Sequence, residues 1–405
     1  MLTKLINRRR ALTRLSTASA LPLVMKKATA GPHPDIAAGP VNVTDFMTRE
    51  MLDDVSRGLV QVDCAPAFQA AIDAATARGA STLTAGRRLV IPGGRYLIAG
   101  PLRFVWRDEQ KVVDDGDMRR LSIEGHGSAN VVIFYRGDAS TPALDVRCYK
   151  AEAGGGTSLR LHITGLRLRR HPNFHGSGTG LRLNGVEGVV LRDVEIAMFD
   201  TDVEAIDTLR FVAEESWFLG GRIGLHARGD TFSSPNVYAF ANCNFGGNAD
   251  VAALFDSGCN IAFRSCAFEG NGSRRGIGAC VLLRNGPSQG GAAAHLDTCY
   301  FENNLVVAEV LADWTTVDGG TIKLTACTFQ RASQERASTH VALRSGKAPM
   351  LAHIDACAFK SFDSYRATAS NPVIAVTGSG VAVTYTACYF QNVVEMPASL
   401  RSPSG

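Results

Sequence analysis

The chain has 405 residues, 45% of them apolar and 20% charged, with 41 glycines. That composition supports a packed core and excludes a wholly disordered chain. The lack of a Gly-X-Y period excludes collagen, and no apolar run is long enough to make a membrane-spanning helix. The formal charge of +4 is misleading, because residues 1–30 carry seven of the 42 Lys and Arg and none of the 38 acids. The rest has 35 basic against 38 acidic residues, a charge of −3, which gives no support for a nucleic-acid-binding surface.

Asn7-Arg8-Arg9-Arg10 precedes a mildly apolar stretch from Leu15 to Met25, and Ala28-Thr29-Ala30 offers a small-x-small cleavage site. This is the order of a bacterial signal peptide, and the paired arginines with Lys26-Lys27 resemble the twin-arginine type. Residues 1–30 are therefore expected to direct export to the periplasm or beyond, residues 31–40 to form a linker, and residues 396–405 a disordered tail. Ala67 to Arg78 predicts a helix, with Pro66 in its first turn, Gly79 past its end, and Phe68, Ala71, Ile72 and Ala75 on one face. Arg88 to Ile98 predicts a strand and turn, and Leu121 to Gly127 begins another.

From residue 238 onward one pattern returns. Cys243-Asn-Phe245, Cys266-Ala-Phe268, Cys299-Tyr-Phe301, Cys327-Thr-Phe329, Cys357-Ala-Phe359 and Cys388-Tyr-Phe390 recur at intervals of 23 to 33 residues. Two more apolar positions lie five and three residues before each cysteine, as in Ile261/Phe263, Ile322/Leu324 and Val383/Tyr385. The pattern extends backwards through Leu161/Ile163/Leu166/Leu168, Val189/Leu191/Val194/Ile196 and Phe211/Ala213/Ser216/Phe218, making nine repeats. Alternation means a strand with one buried face, and the break before the cysteine means a corner. A second short apolar strand follows most repeats: Val251–Phe255, Ala279–Leu283, Val306–Leu311, His340–Leu343 and Pro372–Val376.

One such coil cannot bury its own inner face, but coils stacked at ~4.8 Å can. The sequence therefore predicts an all-β, right-handed parallel β-helix, with an N-terminal α-helix capping its open end. Asn248, Asn271 and Asn304 recur three residues after the phenylalanine and are expected at left-handed bends, stacked as a polar ladder. The ten cysteines include no C-x-x-C pair, so structural zinc is not expected. Stacked free thiols are the expectation for the six repeat cysteines, with disulfides between neighbouring coils as the alternative.

Val43-Thr44-Asp45-Phe46, Val62-Asp63, Ala67-Phe68-Gln69-Ala70-Ala71-Ile72 and Val90-Ile91-Pro92-Gly93-Gly94-Arg95-Tyr96 together resemble the head of the pectate-lyase-like superfamily. Asp45-Phe46-Met47-Thr48 with Asp54-Val55 is similar to the version found in phage tailspikes. The resemblance covers residues 41–100 by motif and 101–395 by repeat style, so 41–395 reads as one domain whose first part, 41–100, is the cap and first coil. It implies a long carbohydrate chain bound along the outside of the solenoid. It does not carry a reaction, because the polygalacturonase Asn-Thr-Asp and Arg-x-Lys motifs and the pectate-lyase Arg-x-Pro-x-x-Arg motif are absent. Gly125-His126-Gly127 matches polygalacturonase letters but sits in an early coil, where such a turn is ordinary.

Stacking the repeats puts Arg167, Glu195, Trp217 and Asn244 in one outward row, beside a corner that carries Asp193, Glu214, Glu215 and Asn242. Side chains one coil apart lie ~5 Å from each other and those two coils apart ~10 Å. Asp193, Glu195, Glu214 and Glu215 thus fall within the separations of glycosidase carboxylate pairs. Trp217 and Asn244 are candidates for substrate contact. Arg167 is a candidate for a uronate carboxylate, or for β-elimination beside a carboxylate-bound Ca²⁺. A second candidate face holds Arg182, Glu204, His226, Arg228 and Asp230, and His171 and His175 lie in a loop from Arg169 to Gly180. Exposed acids are common on any solenoid.

Three functions follow. The first is an exported lyase or glycoside hydrolase that cleaves an acidic polysaccharide, expected as a monomer. The second is a tailspike-like protein that binds and cuts surface polysaccharide, expected as a homotrimer. The third is a non-catalytic carbohydrate-binding or structural β-helix. The sequence favours the first.

Overall fold

The computed structural model describes residues 39–76, 88–106, 119–148, 159–230, 235–258, 260–272, 278–284, 292–315, 319–331, 339–346, 349–361 and 373–391. The expected signal segment, most of the linker and the tail lie outside these residues. Each coil contributes a first strand, a short second strand and a third strand, as in Arg210–Glu214, Trp217–Leu219 and Ile223–Arg228. First and second strands join one parallel 21-stranded sheet, and third strands form a parallel ten-stranded sheet. Register is constant from coil to coil: Phe211, Tyr238 and Ile261 are neighbours on first strands, and Phe218, Phe245 and Phe268 on second strands. This is the expected parallel β-helix.

The corner between first and second strands is a single residue in the left-handed conformation. Asp193, Glu215, Asn242, Ser265, Thr298, Ala326, Ala356 and Ala387 all have φ between 48° and 54° there, and Gly165 has φ 66° in the preceding coil. Such a conformation costs about 1–2 kcal/mol for a residue with a Cβ. Hydrogen bonds between coils hold it in place. The corner N–H of Glu215 donates to Ala241 O at 3.0 Å, that of Asn242 to Arg264 O at 3.0 Å, and that of Ala326 to Asp355 O at 2.9 Å.

Immediately after the corner comes the inward cysteine. Cys243, Cys266, Cys299, Cys327 and Cys357 are buried free thiols. They act as donors as well as fillers. Cys243 Sγ donates to Ala241 O at 3.4 Å and to Ala213 O of the coil before at 3.3 Å. Ser216 fills the equivalent place one coil earlier, its Oγ donating to Glu214 O at 2.8 Å. A hydrogen bond shared with Cys266, and then burial, push the Cys243 thiol up; burial, and then the charge of Glu309, raise Cys280 against a hydrogen bond with Asn271. Beside the thiols runs a stack of rings. Phe268 and Phe301 lie 4.7 Å apart and Phe301 and Phe329 4.6 Å apart, each pair within 9° of parallel.

The asparagine ladder exists, with one correction. The left-handed residues at that bend are Gly247, Gly270 and Asn303, each one position before the laddered asparagine. Asn248, Asn271 and Asn304 instead turn inward and are buried. Asn271 Nδ2 donates to Phe245 O at 2.8 Å and to Asn304 Oδ1 at 3.1 Å, while its Oδ1 accepts from Asn248 N and Nδ2, both at 3.1 Å. The ladder ends on Glu309, whose Oε1 accepts from Asn304 Nδ2 at 3.3 Å and whose Oε2 meets His340 Nδ1. Two coils before the ladder starts, Asp202 is buried with its Oδ1 accepting from Phe199 N at 3.1 Å.

At the N-terminal end two helices pack on the first coils. Helix α1 (Arg49–Arg57) was not foreseen in sequence, although Thr48 caps it by accepting from Met51 N at 3.3 Å and Gly58 ends it at φ 64°. Helix α2 (Ala65–Thr76) starts two residues before the expected Ala67. Asp63 Oδ1 accepts from Ala65 N at 2.9 Å and from Ala99 N at 2.8 Å, tying that start to the first coil. Residues 77 and 78 lie outside the described part. Phe68, Ala71, Ile72 and Ala75 form the buried face as expected, and Phe68 meets Tyr96 edge-on at 5.4 Å.

Two outcomes are expected. Asn271→Leu removes the acceptor of the Asn248 backbone N–H and the side-chain donor to the Phe245 carbonyl, leaves Asn248 Nδ2 only Phe218 O, and should cost about 3 kcal/mol, read from the urea midpoint. Burial raises the Asp202 carboxyl well above its ordinary 3.8, against the pull of the Phe199 N–H. A raised carboxyl gives stability that is complete below 3.8 and falls as pH climbs from there toward the folded-state value. Asp202→Asn should therefore be more stable than the parent at pH 7, with the gap closing on acidification.

Candidate functional site

Second strands are only three or four residues long, so each presents two side chains outward, flanking the inward phenylalanine. The first of these rows brings Arg167, Glu195, Trp217 and Asn244 together in strict register. Glu195 is 5% exposed despite facing outward, because Arg167 and Arg169 enclose it. Arg167 Nε lies 3.4 Å from Glu195 Oε2, and Arg169 Nε contacts Oε1. Trp217 stands partly buried one coil along, and Asn244 follows it.

The other predicted acids are placed differently. Asp193 is itself a left-handed corner residue, and its carboxylate accepts from the backbone N of Ser128 at 3.0 Å and from the Ser128 hydroxyl. Glu214 ends its first strand and is ion-paired with Arg192 of the coil before. Glu215 and Asn242 occupy the corner and are exposed. Glu195 is thus the one acid of the four in the row with Trp217. No two of the four form a carboxylate pair without other partners. This donor set does not fit a Ca²⁺ ion, since Asp193, Glu195 and Glu214 are each engaged by Ser or Arg. Among the described residues no three His, Cys, Asp or Glu side chains group as metal ligands.

The second candidate face is a ladder of opposite charges on the third strands. Arg182 pairs with Glu204 at 2.8 Å, Arg228 lies 3.7 Å from both Glu204 and Asp230, and His226 Nε2 meets Asp256 Oδ2 at 2.7 Å. Burial raises the Asp256 carboxyl, but His226 and Arg284 outweigh it and hold the group below the usual range. Arg182, Glu204, His226 and Arg228 each meet an acidic or basic group on a neighbouring coil, and Asp230 meets Arg228 on its own. The loop with His171 and His175 carries a short 3₁₀ turn, Pro172–Phe174. His171 meets Phe134 and Phe174 edge-on, and burial first, then nearby Arg136 and Arg170, lowers its pKa. Arg170, overlooked in sequence, is buried beneath this loop with its guanidinium 4.9 Å from the Tyr135 ring and 5.3 Å from the Phe174 ring.

A further outward group went unpredicted: Tyr300, Glu302 and Gln330. Tyr300 Oη donates to Glu302 Oε2 at 2.8 Å, and Gln330 Nε2 reaches Glu302 Oε1 at 3.5 Å. Burial and then the Glu302 hydrogen bond push the Tyr300 phenol up to about 12. The signal was present in the sequence, because the six repeats from Cys243 onward have the form Cys-x-Phe-x and both x positions must point outward. Among the described residues no helix is long and apolar enough to cross a membrane.

No protein-family model and no curated protein sequence matches the chain. Solved structures do. The chain is similar to ORF18 of Geobacillus virus E2, with a TM-score of 0.57 and 14% identity over 88% of this chain and 62% of that one. It is also similar to the gp42 tailspike of Acinetobacter phage vb_AbaP_AS12, with a TM-score of 0.53 and 11% identity over 80% of this chain and 60% of that one. The chain thus spans about three fifths of the length of these neighbours.

Removing one partner of a well-buried ion pair costs more than removing one from a surface pair. Glu195→Gln should lower stability by about 1–2 kcal/mol, since both guanidiniums lose their counter-charge. Glu214→Gln should lower it by under about 0.5 kcal/mol. Urea midpoints of the two variants check the contrast.

Proposed function

We infer that this parallel β-helix works through long outward rows rather than a closed pocket. We propose that this chain binds an acidic polysaccharide along its outer face and cleaves glycosidic bonds by lyase or hydrolase chemistry. The observation that carries the proposal is Trp217 standing in the outward row one coil from Glu195, with Arg167 and Arg169 around that acid. An indole face stacks on the apolar face of a sugar ring. Two guanidiniums around one carboxylate leave a net positive charge beside the ring, which suits a uronate. In a lyase, Arg167 would stabilise the charge that develops on the uronate carboxylate as the neighbouring carbon loses its proton. In a hydrolase, Glu195 and the exposed corner acid Glu215 are the first carboxylates to pair in the search for acid and base.

A tailspike-like role, as a trimer on a virion or prophage product, is the second reading, supported by the likeness to the Acinetobacter phage tailspike. Residues 1–30 support export of a monomeric enzyme instead. The mass in solution and the mature N-terminus separate the two, with cleavage after Ala30 expected for export.

The test is incubation of the protein with a panel of acidic and neutral polysaccharides, followed by size-exclusion profiles and ultraviolet absorbance. Shortened chains with the absorbance of an unsaturated sugar mean a lyase, and shortened chains without it a hydrolase. Unshortened chains across the panel overturn the cleavage reading. Trp217→Ala is expected to weaken polysaccharide binding about tenfold, the equivalent of roughly 1.4 kcal/mol of stacking.

A further inference from the structure

The outward row does not stop at Asn244. Constant register carries it on through Ala267, Tyr300, Thr328 and Ala358 to Tyr389. In order, the row reads Trp217, Asn244, Ala267, then Tyr300, Thr328, Ala358, then Tyr389. An aromatic, a hydrogen-bonding side chain and an alanine thus repeat every three coils. Three coils are ~14 Å of solenoid. The rings are the large groups, and the alanines between them leave low ground. Tyr300 is held by its bond to Glu302, and Tyr389 is 55% exposed.

We propose that this row is one extended track for a polysaccharide lying parallel to the solenoid axis, with ring-stacking platforms at Trp217, Tyr300 and Tyr389. The proposal rests on the polysaccharide reading above and deepens it. A monosaccharide unit is about as long as one coil is tall, so each platform meets every third sugar, and Asn244 and Thr328 hydrogen-bond the hydroxyls between.

The charges along the track select the polymer. Arg167 and Arg169 lie at its N-terminal end, whereas Glu269 and Glu302 stand one coil apart in the adjoining outward row, beside Tyr300. A polymer with a carboxylate on every sugar meets repulsion there. The track therefore suits a heteropolysaccharide that carries an acidic sugar at the arginine end and neutral sugars over Tyr300.

The test is affinity electrophoresis of the full chain in native gels cast with gellan (one uronate among neutral sugars), alginate (all uronate) or dextran (neutral). Gellan is expected to retard the protein most. Trp217→Ala, Tyr300→Ala and Tyr389→Ala are each expected to raise the apparent Kd for gellan about tenfold. Ala267→Leu, which raises the low ground without removing a ring, should do the same. All four sites face outward, and unchanged circular-dichroism melting curves confirm that the variants fold. Retardation lost in Trp217→Ala but unchanged in both tyrosine variants overturns the track and leaves the local reading at Trp217 standing. Alginate binding as tight as gellan binding overturns the charge selection. No retardation by any of the three overturns the track together with the polysaccharide reading on which it rests.

Discussion

The architecture depends on a one-residue corner. Between first and second strands the chain turns through a single left-handed residue and resumes as a strand. Glycine would adopt that conformation freely, yet here alanine, threonine and serine adopt it in coil after coil. What holds them there, from Glu215 to Ala356, is the hydrogen bond that the corner N–H donates to the coil ahead. The bond exists only when coils are stacked in register, so the corner and the stack stabilise each other. The cysteine that follows serves the same purpose, since its thiol takes up carbonyls beside the bend. Leu166 and Val194 fill the same place in earlier coils, but an apolar residue there leaves those carbonyls without this donor.

Inside and outside follow different electrostatic rules. Inside, like stacks on like: thiols, phenyl rings and side-chain amides each satisfy an identical group above and below. That works for neutral groups and fails for ions. Where acids do enter the interior, Asp202 has its carboxyl raised by burial and Glu309 is met by His340 and Asn304. On the outer face of the third strands, charges on neighbouring coils alternate in sign, as along Arg182, Glu204 and Arg228. Like charges at strand spacing would destabilise the sheet, and alternation removes that penalty.

Periodicity made most of this legible. The Cys-x-Phe pattern gave register, inward and outward faces, and the corner, because burial forces the same residue types into the same places. It could not say which of two adjacent residues turns left-handed at the asparagine bend. Gly247-Asn248 and Gly270-Asn271 both offer a glycine and an asparagine, and only the inward amide hydrogen bonds decide. Helix α1 was missed because it is only nine residues long and packs inward with just the half-buried Met51 and Val55 beside the buried Asp54. The row Arg167, Glu195, Trp217, Asn244 was readable from register alone. The partners of its acids were not, because Ser128 reaches Asp193 across 65 residues of chain and no repeat relates them.

The interior columns need no functional explanation, since packing alone favours identical neighbours. The outward row is under no such demand. Its side chains stand ~5 Å apart with solvent on one side, and stability would be served as well by any mixture of polar residues. Two tyrosines and a tryptophan there expose apolar area that the fold does not use. Their spacing matches neither a single coil nor the lengths of the intervening loops, which vary from repeat to repeat. It matches only distance along the axis, the one coordinate that a ligand laid along the solenoid would share with it.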